Sequence, residues 1–201
     1  MNFVRLFRIG VWSAIAVLAG FLVVSTQLSG PREPAEAAAG APRVGGPFSL
    51  VSHKGERIDN QSLAGRPYVV FFGFTHCPEI CPTTLFELTD LMAELGPDAD
   101  EFDVLFITVD PERDTKELLD SYMTSFDSRI TALRGSAEET EAALEAFSAY
   151  AAKVPLEGGN YTMDHTAGVF LIRGDGSFGG ILDMHEPRGT RLEKLRRLVS
   201  A

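Results

Sequence analysis

Residues 67–84 read PYVVFFGFTHCPEICPTT, and their pattern predicts the centre of the fold. Residues 67–75 are an almost unbroken run of β-branched and aromatic side chains, which is typical of a strand buried on both faces. Over residues 82–95, leucines and a methionine recur at helical spacing. The sequence therefore predicts a buried strand that turns into a helix, with Cys77 and Cys81 at the turn.

On either side of this segment, the remaining patterns predict an ordered series of strands and helices. They indicate a hairpin at 48–58, strands at 102–109 and 130–133, helices at 115–126 and 137–152, a hairpin at 166–182 and a helix at 189–199. Parallel strands need helical crossovers, so this order predicts a mixed central sheet flanked by helices. We expect an α/β, thioredoxin-like fold with an N-terminal β-hairpin. Its site of action is expected at the carboxyl end of the first central strand.

The N-terminal part differs from this domain. Residues 9–30 carry no charge and are long enough to cross a bilayer, and the charged residues that precede them are Arg5 and Arg8. Residues 1–29 are therefore predicted to be a single-pass anchor with its N-terminus in the cytoplasm, and a cleaved signal peptide is the alternative. Residues 30–46, rich in Pro, Ala and Gly, predict a tether, and residues 47–201 an exported domain.

Composition and charge exclude several classes of function. The 201 residues carry a formal charge of −10, and without the two arginines before the apolar run 16 basic residues face 28 acidic ones, a balance of −12. Such acidity argues against nucleic-acid binding. Two cysteines are too few for a disulfide scaffold or a four-thiolate zinc site. Ten carboxylates and no Lys or Arg lie between Arg66 and Arg113, which favours attraction of a cation.

The cysteine spacing allows two kinds of chemistry. Cys77 and Cys81, four positions apart at the start of a helix, place their sulfurs on adjacent turns of one face. They could form a disulfide, or two thiolates that bind a soft metal. A helix N-terminus should favour the thiolate form. A pair of structural cysteines or a static disulfide is the alternative.

Four histidines are candidates for a third ligand. In thioredoxin-like folds, the residue before the strand predicted at 166 is a proline that faces the cysteines, and here His165 stands in its place. Two thiolates and one imidazole suit copper, whereas zinc would need a fourth ligand or a water. His53 is expected to be solvated in a hairpin turn, His76 to modulate the thiol pKa, and His185 to lie in a surface loop.

Three motifs together resemble the Sco (SenC/PrrC) family of membrane-anchored copper proteins: GFTHCPEICP at 73–82, DPERDT at 110–115 and DHT at 164–166. The resemblance implies a thioredoxin-like domain that binds one copper ion through Cys77, Cys81 and His165. It also implies Asp164 as a carboxylate that supports the histidine, and residues 110–115 as a loop near the site or the partner surface. Met163 stands where an aliphatic residue is usual; its thioether could be an axial ligand, but core packing is the preferred interpretation.

The resemblance also implies a role and a location. The protein would be a metallochaperone rather than an enzyme, at the inner (cytoplasmic) membrane with its folded domain in the periplasm. It would assist assembly of the CuA centre in subunit II of cytochrome c oxidase, by delivering copper, by reducing the acceptor's cysteines, or both. A copper donor and a thiol reductant would be further partners.

Two alternatives use the same thiols without a metal. In a thiol–disulfide oxidoreductase, Cys77 would attack and Cys81 would resolve, so the two would form a redox-active pair. A thiol peroxidase of the peroxiredoxin type would need a threonine three residues before its cysteine, and Phe74 and Pro78 stand there instead.

Overall fold

A computed structural model describes Trp12 and residues 44–200. Within residues 44–200 the strands are β1 (Ser49–Ser52), β2 (Arg57–Asp59), β3 (Tyr68–Gly73), β4 (Asp103–Thr108), β5 (Ile130–Arg134), β6 (Ala151–Pro155), β7 (Tyr161–His165), β8 (Val169–Ile172) and β9 (Phe178–Leu182). The α-helices are α1 (Ile80–Leu95), α2 (Lys116–Met123), α3 (Ala137–Ala146) and α4 (Arg188–Val199). Short 3-10 helices lie at Gly96–Glu101 and Glu157–Gly159.

Seven strands form a mixed sheet in the order β2-β1-β5-β4-β3-β8-β9. The central strands β3, β4 and β5 are parallel, whereas β1 and β8 run antiparallel to their neighbours β5 and β3. All six residues of β3 are buried, so the sheet is covered on both faces. The predicted thioredoxin-like architecture, a mixed sheet flanked by helices with an N-terminal hairpin, is confirmed.

The segment from β3 to α1 forms as the sequence predicts. Side chains of β3 such as Phe71 and Phe72 belong to the core, and α1 buries Leu85, Leu88 and Leu91 against it. This burial of one helical face provides most of the stability of such a helix. Because β3 ends at Gly73 and α1 begins at Ile80, the two cysteines lie at the carboxyl edge of the sheet.

The helix predicted over 137–152 is wrong beyond Ala146. The chain leaves α3 at Phe147, and Ser148 adopts a left-handed backbone conformation with φ of 51°, which stops the helix. Ala151 and Ala152 instead belong to β6, which pairs antiparallel with β7 in a separate two-stranded sheet. We call this β6–β7 pair the ribbon; the sequence analysis did not predict it.

The strand predicted from residue 166 begins later, at Val169. The N–H of Thr166 donates to the carbonyl of Tyr150 at 3.0 Å, and the N–H of Tyr150 donates to the Thr166 hydroxyl at 3.0 Å. These bonds close the base of the ribbon, so residues 166–168 connect it to the main sheet. His165 is consequently the last residue of β7.

The predicted anchor at 1–29 lies outside the described residues apart from Trp12, and so does the predicted tether at 30–46 apart from its last three residues. Among the helices that the structure describes, none has the length and apolarity needed to cross a bilayer.

Candidate metal centre

Cys77, Cys81 and His165 meet at the carboxyl edge of the sheet. One potential ligand atom from each lies within 4.8 Å of the others. The Cys81 sulfur and His165 Nε2 are 3.5 Å apart. Both cysteines are free thiols. The structure thus brings together the three residues that sequence analysis named, in a group that could hold a metal ion.

The start of α1 positions the two sulfurs differently. Cys81 lies in the first helical turn and is fully buried, whereas Cys77 is partly exposed just before the helix. The N–H of Cys81 donates to the Cys77 sulfur at 3.4 Å. A helix leaves its first N–H groups without intrahelical partners, and the Cys77 sulfur accepts from one of them.

Gly73 gives the Cys81 sulfur its room. A Cβ atom on Gly73 would lie 2.8 Å from that sulfur and 2.7 Å from the Phe106 ring. Both separations are far below van der Waals contact, so any side chain at this position would displace the sulfur or the ring.

His165 is oriented through its other ring nitrogen. Nδ1 lies 3.1 Å from the carbonyl oxygen of Thr166. A carbonyl can only accept, so this hydrogen bond requires the proton on Nδ1 and leaves Nε2 to face the Cys81 sulfur. The rings of Phe74 and Phe71 stand edge-on to the imidazole at 5.8 and 6.2 Å between centroids.

Asp164 does not have the supporting role expected for it. Its side chain is exposed, and the acceptor beside Nδ1 is the Thr166 carbonyl. Met163 is partly buried and packs against the core, as its preferred interpretation predicted.

Burial controls the ionisation of Cys81. Desolvation raises the pKa of the Cys81 thiol far above its ordinary value and outweighs a hydrogen bond with the Phe74 backbone that acts the other way. The expectation that the helix N-terminus favours a thiolate is therefore wrong for Cys81 in the metal-free protein. To bind a metal as thiolate, Cys81 must release a proton.

The 110–115 loop lies against the site, as expected. The buried carboxylate of Asp114 accepts from the N–H of Thr75 at 3.0 Å and from its hydroxyl at 2.6 Å. It also accepts from the hydroxyl of Thr108, at the end of β4. Asp114 thereby fixes the backbone two residues before Cys77.

The other histidines lie elsewhere or point elsewhere. His53 is buried, so its predicted solvation is wrong: it follows β1, beside β5, and its Nδ1 accepts from the Ala132 N–H at 3.1 Å. His185 is exposed, and its Nδ1 lies 2.8 Å from an Asp183 carboxylate oxygen, so its surface position is confirmed. His76 is half-exposed, with Nδ1 3.0 Å from the Thr75 hydroxyl.

The negative charge of the ten carboxylates between Arg66 and Arg113 is balanced to a greater extent than the sequence implied. Six of the ten pair with Lys or Arg side chains, most of them distant in sequence: Glu87, Glu94, Asp100, Asp103, Asp110 and Glu112. Folding thus neutralises much of the charge that favoured a cation in the sequence analysis.

Sequence analysis also missed Tyr161, which contacts the 110–115 loop from the ribbon. Its hydroxyl donates to Asp110 at 2.9 Å, and its ring stacks 3.7 Å from the Arg113 guanidinium carbon. Gly158, Gly159 and Asn160 were an available turn signal between two short strands.

Comparison with known proteins identifies relatives over the whole described domain. A family model described as SCO1/SenC matches residues 36–200. The human "Protein SCO1 homolog, mitochondrial" is 37% identical over 153 residues, which are 75% of this chain and 51% of that protein. The chain spans about half the length of the curated relatives it matches first.

Two solved structures share the fold. The Bradyrhizobium japonicum ScoI structure with copper bound is 40% identical, with a TM-score of 0.72, and the match covers 77% of this chain and 99% of that one. Yeast Sco1 with copper bound is 30% identical, with a TM-score of 0.73 over 80% of this chain and 90% of that one.

Proposed function

This chain belongs to the SCO1/SenC family, and on that premise we propose that its domain is a metallochaperone that binds one copper ion through Cys77, Cys81 and His165. The observation that carries the proposal is the convergence of two thiols and one imidazole within 4.8 Å. The copper-bound relatives from Bradyrhizobium japonicum and yeast support the choice of metal.

The chemistry of these donors also favours copper. Two thiolates and one imidazole form a soft, three-ligand set, whereas zinc usually takes four ligands. With Nδ1 held by the Thr166 carbonyl, the ring offers Nε2 for coordination. Six of the ten carboxylates between Arg66 and Arg113 are paired with basic side chains, so the preference rests on the thiols and the imidazole.

The different exposure of the two thiols suggests a route for the metal. Cys77 is partly exposed and borders a shallow opening lined also by Pro78, Ile80 and Ala167. An acceptor thiolate would replace Cys77 first, and replacement of buried Cys81 and of His165 would then complete the transfer. Each thiol that binds loses a proton, and each thiol that releases the metal can regain one.

We further propose that the acceptor is the CuA centre in subunit II of cytochrome c oxidase. On this proposal residues 1–29 anchor the chain in the inner membrane, residues 30–46 form a tether, and residues 47–201 work in the periplasm. A separate donor would supply the copper. Oxidation of Cys77 and Cys81 to a disulfide would abolish binding, so a thiol reductant is required.

A second candidate is a metal-independent thiol–disulfide oxidoreductase. A partly exposed thiol followed by a buried one favours it. The Cys77 thiolate would attack a substrate disulfide, releasing one substrate thiol, and the Cys81 thiolate would then displace the second. The substrate gains two electrons and the protein becomes a Cys77–Cys81 disulfide, which an external thiol reductant must reduce.

The test is copper titration of the reduced domain, residues 44–201, with His165→Ala compared against His185→Ala. The exposed His185 lies outside the group of Cys77, Cys81 and His165, so its removal should leave copper affinity and the Cu(II)–thiolate absorption unchanged. Removal of His165 should weaken binding and shift that absorption. A His165→Ala protein with unchanged stoichiometry, affinity and spectrum would contradict the three-ligand site.

The two candidate functions separate in a second assay. Reduction of a model disulfide that persists in His165→Ala, together with no copper binding by the unaltered domain, would favour the oxidoreductase. In cells that lack the protein, loss of oxidase activity that added copper restores would favour delivery.

A further inference from the structure

The ribbon that carries His165 has little support of its own. None of the ten residues in β6 and β7 is buried, and the pair forms no ladder with the main sheet. A two-stranded antiparallel pair is at best marginally stable in water. Contacts to the rest of the domain must therefore hold it in place.

The base of the ribbon is held by Tyr150 and Thr166, and Met163 packs against the core from its middle. At its far end, β7 begins with Tyr161, which contacts the 110–115 loop. Lys153 of β6 also reaches Glu112 at 2.6 Å, but that pair is exposed and contributes little.

The contacts between Tyr161 and the 110–115 loop are stronger than the exposed Lys153–Glu112 pair. Arg113 Nη1 donates to the Tyr161 carbonyl at 2.9 Å, and its guanidinium lies 3.7 Å from the Tyr161 ring centroid. Asp110, whose side chain is fully buried, accepts from the Tyr161 hydroxyl and from Arg113 Nε. Removing one member leaves a buried charge or a buried polar atom unpaired, which is costly.

Asp110, Arg113 and Tyr161 form a cluster that reaches towards the imidazole through Phe74. The Arg113 guanidinium lies 5.9 Å from the Phe74 ring centroid, and that ring stands edge-on to His165 at 5.8 Å. We propose that Asp110, Arg113 and Tyr161 are positioning residues that hold the ribbon so that His165 faces Cys77 and Cys81. As a statement about metal affinity, this rests on the proposed function.

The test is a double-mutant cycle between Arg113→Lys and His165→Ala, read by copper affinity and by Cu(II)–thiolate absorption. Lysine keeps the positive charge of Arg113. It has no planar group to stack on the Tyr161 ring, and it replaces only one of the two hydrogen bonds that Arg113 donates to Asp110 and to the Tyr161 carbonyl. Residues that orient a metal ligand typically affect affinity 10- to 100-fold, so we expect Arg113→Lys to weaken binding by about tenfold. In the His165→Ala background the same change should have an effect below about twofold.

Arg57→Lys is the matched control, because Arg57 is exposed and pairs with Glu139 away from the cluster. It should change affinity less than about twofold. An equal loss from Arg113→Lys in both His165 backgrounds, or no loss in either, would overturn the proposal. If Arg113→Lys does not fold, Tyr161→Phe, which removes only the hydroxyl, replaces it in the cycle.

Hydrogen exchange of the metal-free protein gives a readout that does not depend on copper. Arg113→Lys should speed exchange at residues 151–165 selectively, and leave β3 and β4 as they are. Uniformly faster exchange, or no change in the ribbon, would overturn the proposal. If the unaltered domain binds no copper, the proposed function fails, and exchange in the ribbon alone decides whether the cluster holds it.

Discussion

His165 Nε2 lies 3.5 Å from the Cys81 sulfur, although 84 positions separate the two residues in the chain. The sulfur is placed by the first turn of α1 and the imidazole by the end of the ribbon. Three packing features make the relationship possible: the space beside Gly73, the carbonyl of Thr166 and the contacts of the 110–115 loop.

Gly73→Ala should damage both the fold and the site. The new Cβ would meet Cys81 and Phe106 at less than 3 Å, so the sulfur or the ring has to move. We expect a loss of about 1–3 kcal/mol in the free energy of unfolding, together with weaker copper binding. Urea unfolding and copper titration measure the two effects.

Gly189→Ala is the matched control for this substitution. Gly189 lies in the first turn of α4 with nothing near its Cβ direction, so alanine there should be neutral or stabilise by about 0.5–1 kcal/mol. Equal effects of the two substitutions would contradict the packing argument.

The two thiols should differ in reactivity when the protein is reduced and metal-free. Cys77 is partly exposed, whereas Cys81 is fully buried with a raised pKa, and the thiolate is the reactive form. At pH 8, Cys81→Ser should therefore react with iodoacetamide faster than Cys77→Ser, on the order of tenfold or more. Rates measured by mass spectrometry decide this; similar rates would mean that Cys81 opens readily to solvent.

Stability of the reduced, metal-free domain should fall as the solution becomes alkaline. The pKa of Cys81 is raised on folding, so its contribution is fully present below the ordinary thiol pKa of 9.0 and is lost as pH rises above it. Above that value, one such group lowers the free energy of unfolding by about 1.4 kcal/mol per pH unit. Urea unfolding between pH 8 and 10 measures it.

Cys81→Ala separates this effect from other groups that ionise in the same range. Tyr68 also has a pKa raised by burial, to about 12, and it ionises in the unfolded chain above pH 10. The alanine variant should be less stable at pH 7 but lose less stability towards pH 10. Parallel pH profiles for the two proteins would refute the assignment to Cys81.

Asp114→Ala should destabilise the turn before the cysteines. It leaves the Thr75 N–H and hydroxyl, which are partly buried, and the buried Thr108 hydroxyl without their acceptor, at a cost of about 3 kcal/mol. Asp98→Ala, at an exposed carboxylate, should stay within about 0.5 kcal/mol. Thermal or urea unfolding compares them, and a loss no larger than that of Asp98→Ala would rule out a supporting role for Asp114.

Local sequence patterns were sufficient to predict the segment from β3 to α1. A continuous apolar run and a helical repeat each reflect burial of one element, so the element type can be predicted without knowing its neighbours. The ribbon was missed for the converse reason. Its residues are half-exposed and hardly alternate, and its place depends on Tyr161 meeting Asp110 and Arg113, some 50 positions earlier in the chain.

The charges and His53 show the same limit. The balance between Arg66 and Arg113 counts only neighbours in sequence, whereas folding brings Arg129, Arg188 and Lys153 against those carboxylates. His53 lies in the hairpin turn after β1, a place that favours solvent exposure, yet the pairing of β1 with β5 buries it. Neither contact leaves a local pattern.

Patterns in the sequence predicted the mixed sheet, the position of Cys77 and Cys81 at the start of a helix, and His165 as their partner. Those features follow from periodicity, from spacing along one element and from motifs. Knowledge of the packing was needed to see that Cys81 is buried with a raised pKa while Cys77 is partly exposed, that the Thr166 carbonyl orients the imidazole, and that a weakly buried ribbon carries it. These properties depend on solvent exclusion and on contacts between distant segments, and both exist only once the chain has packed.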